Sequence, residues 1–541
     1  MNSQQLFQAI GNAEDALLER SEQPVKKKPR WYKWLAAAAC ICLLAAGGLR
    51  LLPDHMGANA SGSGHDNGAA TFMSYAGPVF PLTLLEDTET ITAKRSITLD
   101  FSPWLKTWIS NQAQLAQRSD LSAEELTKMA EDLENIFPDG GYDQTSTDIL
   151  VQDTYQLRNQ SAQAQTVTVL YPFVSDLYGL KQKKAQLTVN GTALSTSLVI
   201  GGYSGGFRTP SGDAAEPLLN LEELHSWEQY QALLQNGDYL SQALFRQISY
   251  ADVPVIVYRF TNDYGPASSD AIPNLTIRAM FEMDYGQTTI LTYGFNGHLR
   301  DSEQGLAGVS FSVRQPAYGD YGQPCYLIVL GQDISALETQ AYITGGWDTK
   351  KTLENAGVTI IREETTLETV LQEVVQREWQ QYQETLNTEL DFATYYQLFC
   401  DYLERYGVLA NPAVARYDEG ALEFLDVNNV NRVCYTKAQI TIPAGSTMDL
   451  TATVRKEASF DYACANTAHR GIYGYDLVTQ LGSNLTFTDQ QATIKDYGVV
   501  EITGQNFGFD LLQNRKTVNL SNQTAHYYLE VKRIAEKNDD K

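Results

Sequence analysis

Six cysteines are spread through the 541 residues, and none of them stands in a C-x-x-C pair. Zinc-ribbon and thioredoxin-type frameworks, which such pairs build, are excluded, as is a small disulfide scaffold. Cations are also few: 40 Lys+Arg face 65 Asp+Glu, a formal net charge of −25. Binding phosphates needs the opposite balance, so no nucleic-acid partner is expected. The chain has 6 histidines and no H-E-x-x-H, Walker-loop or EF-hand sequence. These motifs point to no catalytic residue, metal ligand or cofactor.

Long apolar runs are absent but for one. Trp34 to Leu49 is unbroken by charge, with Lys26, Lys27, Lys28, Arg30 and Lys33 directly before it. As a helix those residues span about 24 Å, and continuing to Leu52 brings the length close to the ~30 Å hydrocarbon core of a bilayer. Lys33 and Arg50 can snorkel at the ends, and Trp31, Tyr32 and Trp34 suit the headgroup layer. No Lys or Arg occurs between Leu52 and Ala93, so the positive-inside bias puts Met1 in the cytoplasm and everything after Pro53 outside. The expectation is a single-pass protein of the cell membrane, with the lipid bilayer as its first partner. Ala58-Asn59-Ala60 has the form of a signal-peptidase site, but the arm before the apolar run is too long for a usual n-region. Lipidation at Cys40 is disfavoured because that cysteine lies inside the run.

Residues 1–52 hold 7 Lys+Arg and 4 Asp+Glu, which leaves 33 against 61, a net charge of −28, for the 489 residues beyond. That part is too long for one core and is rich in Tyr, Thr, Val and Gln, a composition suited to exposed β-sheet. The fold class expected is α+β, mostly β. One transmembrane helix is followed by extracytoplasmic antiparallel β-sandwich-like regions with an inserted helical hairpin. The divisions read as a cytoplasmic arm (1–33), the membrane helix (34–52) and a flexible stalk (53–78). A first β-rich region (79–346), a helical pair (347–407) and a second β-rich region (408–541) follow. Whether the two β regions form one sheet system is left open by the sequence.

In the arm, Leu6, Phe7 and Ile10 make one apolar stripe, and Leu17 and Leu18 extend a second beyond Gly11. These five residues are the candidate contacts for a cytoplasmic regulatory protein on which the arm would fold; the other reading is a frayed tail. Farther on, Ser122-x-x-Glu125 is a capping box that predicts a helix ending near Pro138. Val167, Val169, Tyr171 and Phe173 alternate as a strand, and Asn190-Gly191 is a hairpin signal. A helix is predicted over 218–235. Strand candidates resume at Val255 to Thr261, Leu275 to Met283, Thr288 to Phe295, Val309 to Val313 and Tyr326 to Leu330.

Leu367 to Tyr406 keeps an apolar face through Trp379, Tyr382, Tyr395, Phe399 and Leu403, which predicts two helices meeting near Asn387 to Leu390. Core packing explains that aromatic stripe better than a ligand surface does. Further strands are expected at Cys434 to Ile442, Met448 to Val454, Leu485 to Phe487, Val499 to Thr503 and Tyr527 to Val531. Pro443-Ala444-Gly445-Ser446 reads as a hairpin turn.

Gly202-Tyr203-Ser204-Gly205-Gly206 matches G-x-S-x-G, but Pro210 and Gly212 follow where the nucleophile's helix would have to begin. Cys464 and His469 are two ligands without a second pair. Cys325, Cys400, Cys434 and Cys464 allow three disulfide pairings, with free thiols favoured.

Leu6 to Asp15, followed by Lys26-Lys27-Lys28-Pro29-Arg30-Trp31 and the alanine-rich helix, resembles uncharacterised single-pass envelope proteins of gram-positive-type bacteria. Some of these share the layout of membrane-bound anti-sigma factors. The resemblance covers about the first 50 residues, extended by Met73 to Phe80, and departs from zinc-type anti-sigma domains, since the arm has no H-x-x-x-C-x-x-C. It implies signalling through the arm by an otherwise non-enzymatic envelope protein with an unidentified extracellular ligand. The alternative is an extracellular binding or adhesion module for which the arm is only an anchor. An extracellular hydrolase comes third.

Overall fold

The computed structural model describes residues 77–116, 118, 121–201, 247–262, 275–312, 324–343, 351–353, 358–386, 390–405, 407–409, 420–425, 427–429, 432–461 and 471–534. The arm with Leu6, Phe7, Ile10, Leu17 and Leu18, the apolar run, the stalk up to residue 76, the helix expected over 218–235, Ser204, Cys464 and His469 lie outside them. Among the described residues no helix is long and apolar enough to cross a membrane.

Two short strands, β1 (Thr83–Leu84) and β2 (Ile91–Asp100), lead to a small separate unit, Leu105–Ser146. It contains β3 (Thr107–Ser110), α1 (Asn111–Ala116), α2 (Ala123–Ile136) and β4 (Gly141–Gln144), with β3 and β4 paired antiparallel. The expected capping box is present. Ser122 N donates to Glu125 Oε2 at 2.8 Å, and Ser122 Oγ accepts from Glu125 N at 3.4 Å. The Ser122→Ala substitution is expected to cost this helix about 1 kcal/mol. Amide exchange should then speed up in α2 and stay unchanged in the sheets of the larger unit.

The larger unit resumes with β5 (Ile149–Asn159), β6 (Gln165–Ser175), α3 (Leu180–Lys183), β7 (Gln186–Val189), β8 (Thr192–Ala193) and β9 (Ser197–Ile200). Asn190 and Gly191, at φ 48° and 81°, join β7 to β8 with the two left-handed residues a tight hairpin requires. Next come β10 (Pro254–Asn262), β11 (Thr276–Glu282), β12 (Thr288–Tyr293), β13 (Gly297–Asp301) and β14 (Leu306–Ser312). After them run β15 (Cys325–Gly331), β16 (Ser335–Tyr342), β17 (Thr352–Leu353) and β18 (Val358–Thr366). Helices α4 (Leu367–Leu386) and α5 (Phe392–Arg405) are followed by β19 (Arg432–Ile442), β20 (Thr447–Lys456), β21 (Phe460–Asp461) and β22 (Ile472–Val478). The last strands are β23 (Thr486–Lys495), β24 (Val500–Gln505), β25 (Thr517–Asn519) and β26 (His526–Arg533).

Strands from both ends of the chain share sheets, which answers the question the sequence left open. The largest sheet runs β25-β23-β2-β5-β20-β7-β8, and another runs β1-β6-β19-β9. The fold is mostly β and the pairing of its described strands antiparallel, except that β2 and β23 run parallel. Alternate residues of these sheets, among them Ile97, Leu99, Val151, Leu157, Val169, Leu450 and Ile494, fill one buried apolar cluster. The β10–β18 segment is a sandwich inserted into this system, its sheets ordered β12-β15-β10-β18 and β13-β14-β11-β16-β17. Tyr258, Phe260, Leu327 and Val329 face inside that sandwich, whereas Val255, Val257, Tyr326 and Ile328 of the same two strands belong to the main core. Burial on both faces explains the continuous apolar run of β15.

Pro443–Ser446 does turn the chain, but β19 and β20 are not hairpin partners. β20 pairs with β5 from Thr447 to Lys456, and β19 pairs with β6 along its whole length. The Asn159–Ser161 turn likewise carries the chain from one sheet to the other. The two arches are tied together: buried Asn159 donates from Nδ2 to the carbonyls of Ile442 and Pro443 at 3.0 and 3.2 Å, and Gly445 N donates to Ser161 O. The inward alternation satisfied each strand against the opposite arch, which local turn chemistry does not specify.

Helices α4 and α5 form the expected pair. Tyr382 stacks on Tyr395 at 5.5 Å and donates its hydroxyl to Leu177 O, while Asp391 Oδ1 accepts from Thr394 N to start α5. Tyr382, Tyr395, Phe399 and Leu403 are buried. Among the charged groups buried inside the sheets is an ion pair. Arg95 donates to both carboxylate oxygens of Asp153, at 3.0 Å from Nε and 2.8 Å from Nη2, and to Val478 O from Nη1 at 2.9 Å. Tyr155 adds a 2.6 Å bond to the same carboxylate and accepts from Leu82 N. Burial, the largest influence, pushes the Tyr155 and Tyr171 phenols well above their ordinary value, so both stay protonated donors.

Candidate functional site

The outward face of the seven-stranded sheet carries two rows of uncharged polar side chains. One row is Thr517, Thr493, Thr98, Gln152, Thr453 and Gln186, each opposite the next across a strand pair. The other is Asn519, Gln491, Ser96, Thr154, Thr451 and Thr188. All twelve are half-buried or exposed, because each alternates along its strand with a residue turned toward the core. Neighbours are preset by mutual hydrogen bonds: Thr154 to Thr451 at 3.0 Å, Thr493 to Thr517 at 3.0 Å, and Gln491 to Ser96 at 2.7 Å.

Charge appears at the borders of these rows, on Lys94, Asp449 and Asp489 at one and on Asp100, Lys495 and Arg455 at the other, where part of it is paired. Lys495 reaches Asp100 at 3.3 Å, Arg455 reaches Asp148 at 2.6 Å, and Gln156 donates to Asp449. Burial pushes the Asp100 carboxyl up, but hydrogen bonds from Ser102, Lys495 and Tyr497 outweigh it and hold the group below its usual range. Tyr497, 49% exposed, stands at the same border with its hydroxyl 3.2 Å from Asp100 and its backbone at φ 51°. A bulky residue in the left-handed region is an outlier, so this ring is presented at some backbone cost. Chemically, the face offers a dense array of hydroxyl and amide groups, a neutral centre and one exposed aromatic edge.

No protein-family model matches the chain, and no curated protein is detectably similar to it.

A second cluster lies on the inner side of β20. Lys456 and Lys183 line a narrow cleft with Val79, Tyr171, Phe173 and Glu457. Lys183 pairs with Glu457 at 3.1 Å, and Lys456 Nζ donates to Glu457 O at 2.7 Å. Desolvation dominates at Lys456 and lowers its pKa to about 7 against the opposing pull of Glu457 and Asp476. Asp476 is itself buried, 3.7 Å from His526. A near-neutral amine among carboxylates is a chemically distinctive environment, but its observed bond is to a backbone carbonyl, which fits a packing role.

Cys325, Cys400 and Cys434 are buried free thiols, and burial pushes the last two up to about 12, so they are poor nucleophiles. Among the described residues no group of three or more His, Cys, Asp and Glu is placed to hold a metal. The sequence motifs did not identify the polar face. The composition signal, Thr and Gln alternating with apolar residues in Ser96–Leu99, Val151–Tyr155, Leu450–Val454 and Gln491–Ile494, was there to be used.

Proposed function

We propose that this chain is a single-pass envelope protein, its amino-terminal arm cytoplasmic and residues beyond 53 outside the cell, which displays its β-rich outer region as a binding module. The observation that carries the reading is the uncharged face of the largest sheet in a region of net charge −28. The oriented charge around residues 34–52 supports the anchor and its direction. Proteolysis of intact cells tests it. A tag after Lys541 should be lost to added protease while a tag before Met1 is protected, and protection of both ends would overturn the topology.

The apolar stripes of the arm support a second role, coupling the outer region to a cytoplasmic regulator in the manner of an anti-sigma factor. Leu6, Phe7, Ile10, Leu17 and Leu18 are the contacts proposed for that partner. A Leu6→Asp, Phe7→Asp variant at normal abundance should change expression of the genes controlled by the regulator. An unchanged transcript profile would leave the arm as an anchor alone.

A further inference from the structure

We propose that the two polar rows, with Tyr497 at their border, bind a neutral polyhydroxylated polymer, a glycan chain without carboxylate or phosphate groups. The proposal rests on the reading of the outer region as a binding module and names the ligand class of that face. These twelve adjoining positions carry no charge, although about a third of surface positions normally do. The exterior region has an excess of 28 acids, which makes their absence from this centre more pointed.

The chemistry excludes other occupants. A nucleic acid or an anionic polymer needs Lys and Arg, and here the two rows hold neither, while Lys495 and Arg455 at one border pair with acids. Protein interfaces concentrate aromatic, Met and Arg anchors at their centre and are depleted in Ser, whereas this centre is Thr, Gln, Ser and Asn. Hydroxyl and amide groups both donate and accept, and they lose far less on desolvation than ions do. Neighbouring strands set these groups about 4.8 Å apart, and the two rows lie about 6.8 Å apart, so six strands offer a lattice about 24 Å long. A repeating ligand meets a repeating set of partners and gains from many weak contacts at once. The exposed ring of Tyr497 provides the flat apolar surface on which a sugar face can lie, and the bond from its hydroxyl to Asp100 restrains it.

The test uses the full chain in detergent, run in native gels cast with dextran, with hydroxyethyl cellulose, or with polygalacturonate as the polyanion. The expected result is retardation by at least one neutral polymer and none by polygalacturonate. Thr154→Lys with Thr451→Glu introduces charge as a cross-strand pair that the sheet tolerates, and should weaken retardation at least 10-fold. Tyr497→Asn removes the ring while keeping a residue suited to positive φ, so its loss of retardation reports the ring and not backbone strain. Absence of retardation by both neutral polymers, or retardation of both variants equal to that of the unaltered protein, would overturn the proposal. So would a protein ligand whose binding the Thr154/Thr451 variant abolishes. Intact-cell proteolysis is independent of these outcomes: surface exposure without glycan binding overturns the ligand class alone, and glycan binding by an internal protein overturns the topology alone.

Discussion

Replacing Asp153 with alanine is expected to destabilise the larger unit by about 3–5 kcal/mol, the loss typical of a buried pair stripped of one partner. Arg95 and Asp153 are both inaccessible to solvent, so the guanidinium left behind has no water to replace the two carboxylate oxygens. Its bond to Val478 O remains and does not neutralise it. The Tyr155 hydroxyl also loses its 2.6 Å acceptor, while its bond from Leu82 N survives. Equilibrium urea unfolding followed by near-ultraviolet circular dichroism measures the loss. Tyr155→Phe should cost less, about 1–3 kcal/mol, because the bonds to Asp153 and from Leu82 N go but no charge is stranded. Combining Arg95→Leu with Asp153→Leu should recover part of the loss of Asp153→Ala, since two apolar side chains need no compensation. A double variant as unstable as the single one would mean that shape, and not charge, is what this position supplies.

The second large effect is a pH dependence set by Lys456. Its folded pKa of about 7 lies well below the ~10.4 of an unfolded lysine, and burial is the cause. Between those values the unfolded chain holds one more proton than the folded chain, so stability rises with pH, at about 1.4 kcal/mol per unit. Above ~8.5 the buried thiols act in the opposite sense. Cys400 and Cys434 stay protonated in the fold up to about 12, while unfolded thiols ionise, which favours unfolding. Lys183 is raised, the attraction of Glu457 and Asp176 outweighing the larger single effect of burial, so it changes stability only above the ordinary lysine range. The clean window is therefore pH 7 to 8.5, where the intact protein should gain about 2 kcal/mol. In Lys456→Met that gain should disappear, and the variant should be the more stable protein at pH 6. Parallel stability curves for the two proteins across the window would mean that Lys456 is not buried as described.

Much of the local structure was legible in the residues. The Ser122–Glu125 box, the Asn190-Gly191 turn and the start of α5 after Asp391 are each decided by neighbours a few positions away. Strands such as β6, β10, β19 and β26 followed from alternation, whereas β5, β16, β18 and β22 were not expected, and alternation gave no strand its partner. In β2, Lys94 and Arg95 stand side by side in the sequence, yet the period of two sends Arg95 inward to Asp153, 58 residues on. Pro443–Ser446 reads as a hairpin for the same reason: turn chemistry reports that the chain reverses, not which sheet the next strand joins. The polar face is the extreme case. Each strand shows an ordinary Thr or Gln, and only the side-by-side order β25-β23-β2-β5-β20-β7 makes them rows.

That order also puts a clock on the protein. Ser96 and Gln491 sit opposite each other in the parallel pair, and their side chains bond across 395 residues of sequence. A ribosome working at about 5–20 residues per second reaches Gln491 roughly 20–80 s after it has made Ser96. For that interval one long edge of β2 carries unpaired donors and acceptors, open to any other extended chain nearby. The nascent larger unit carries that bare edge until β23 has been made, and a stop codon before Thr486 leaves it bare for good.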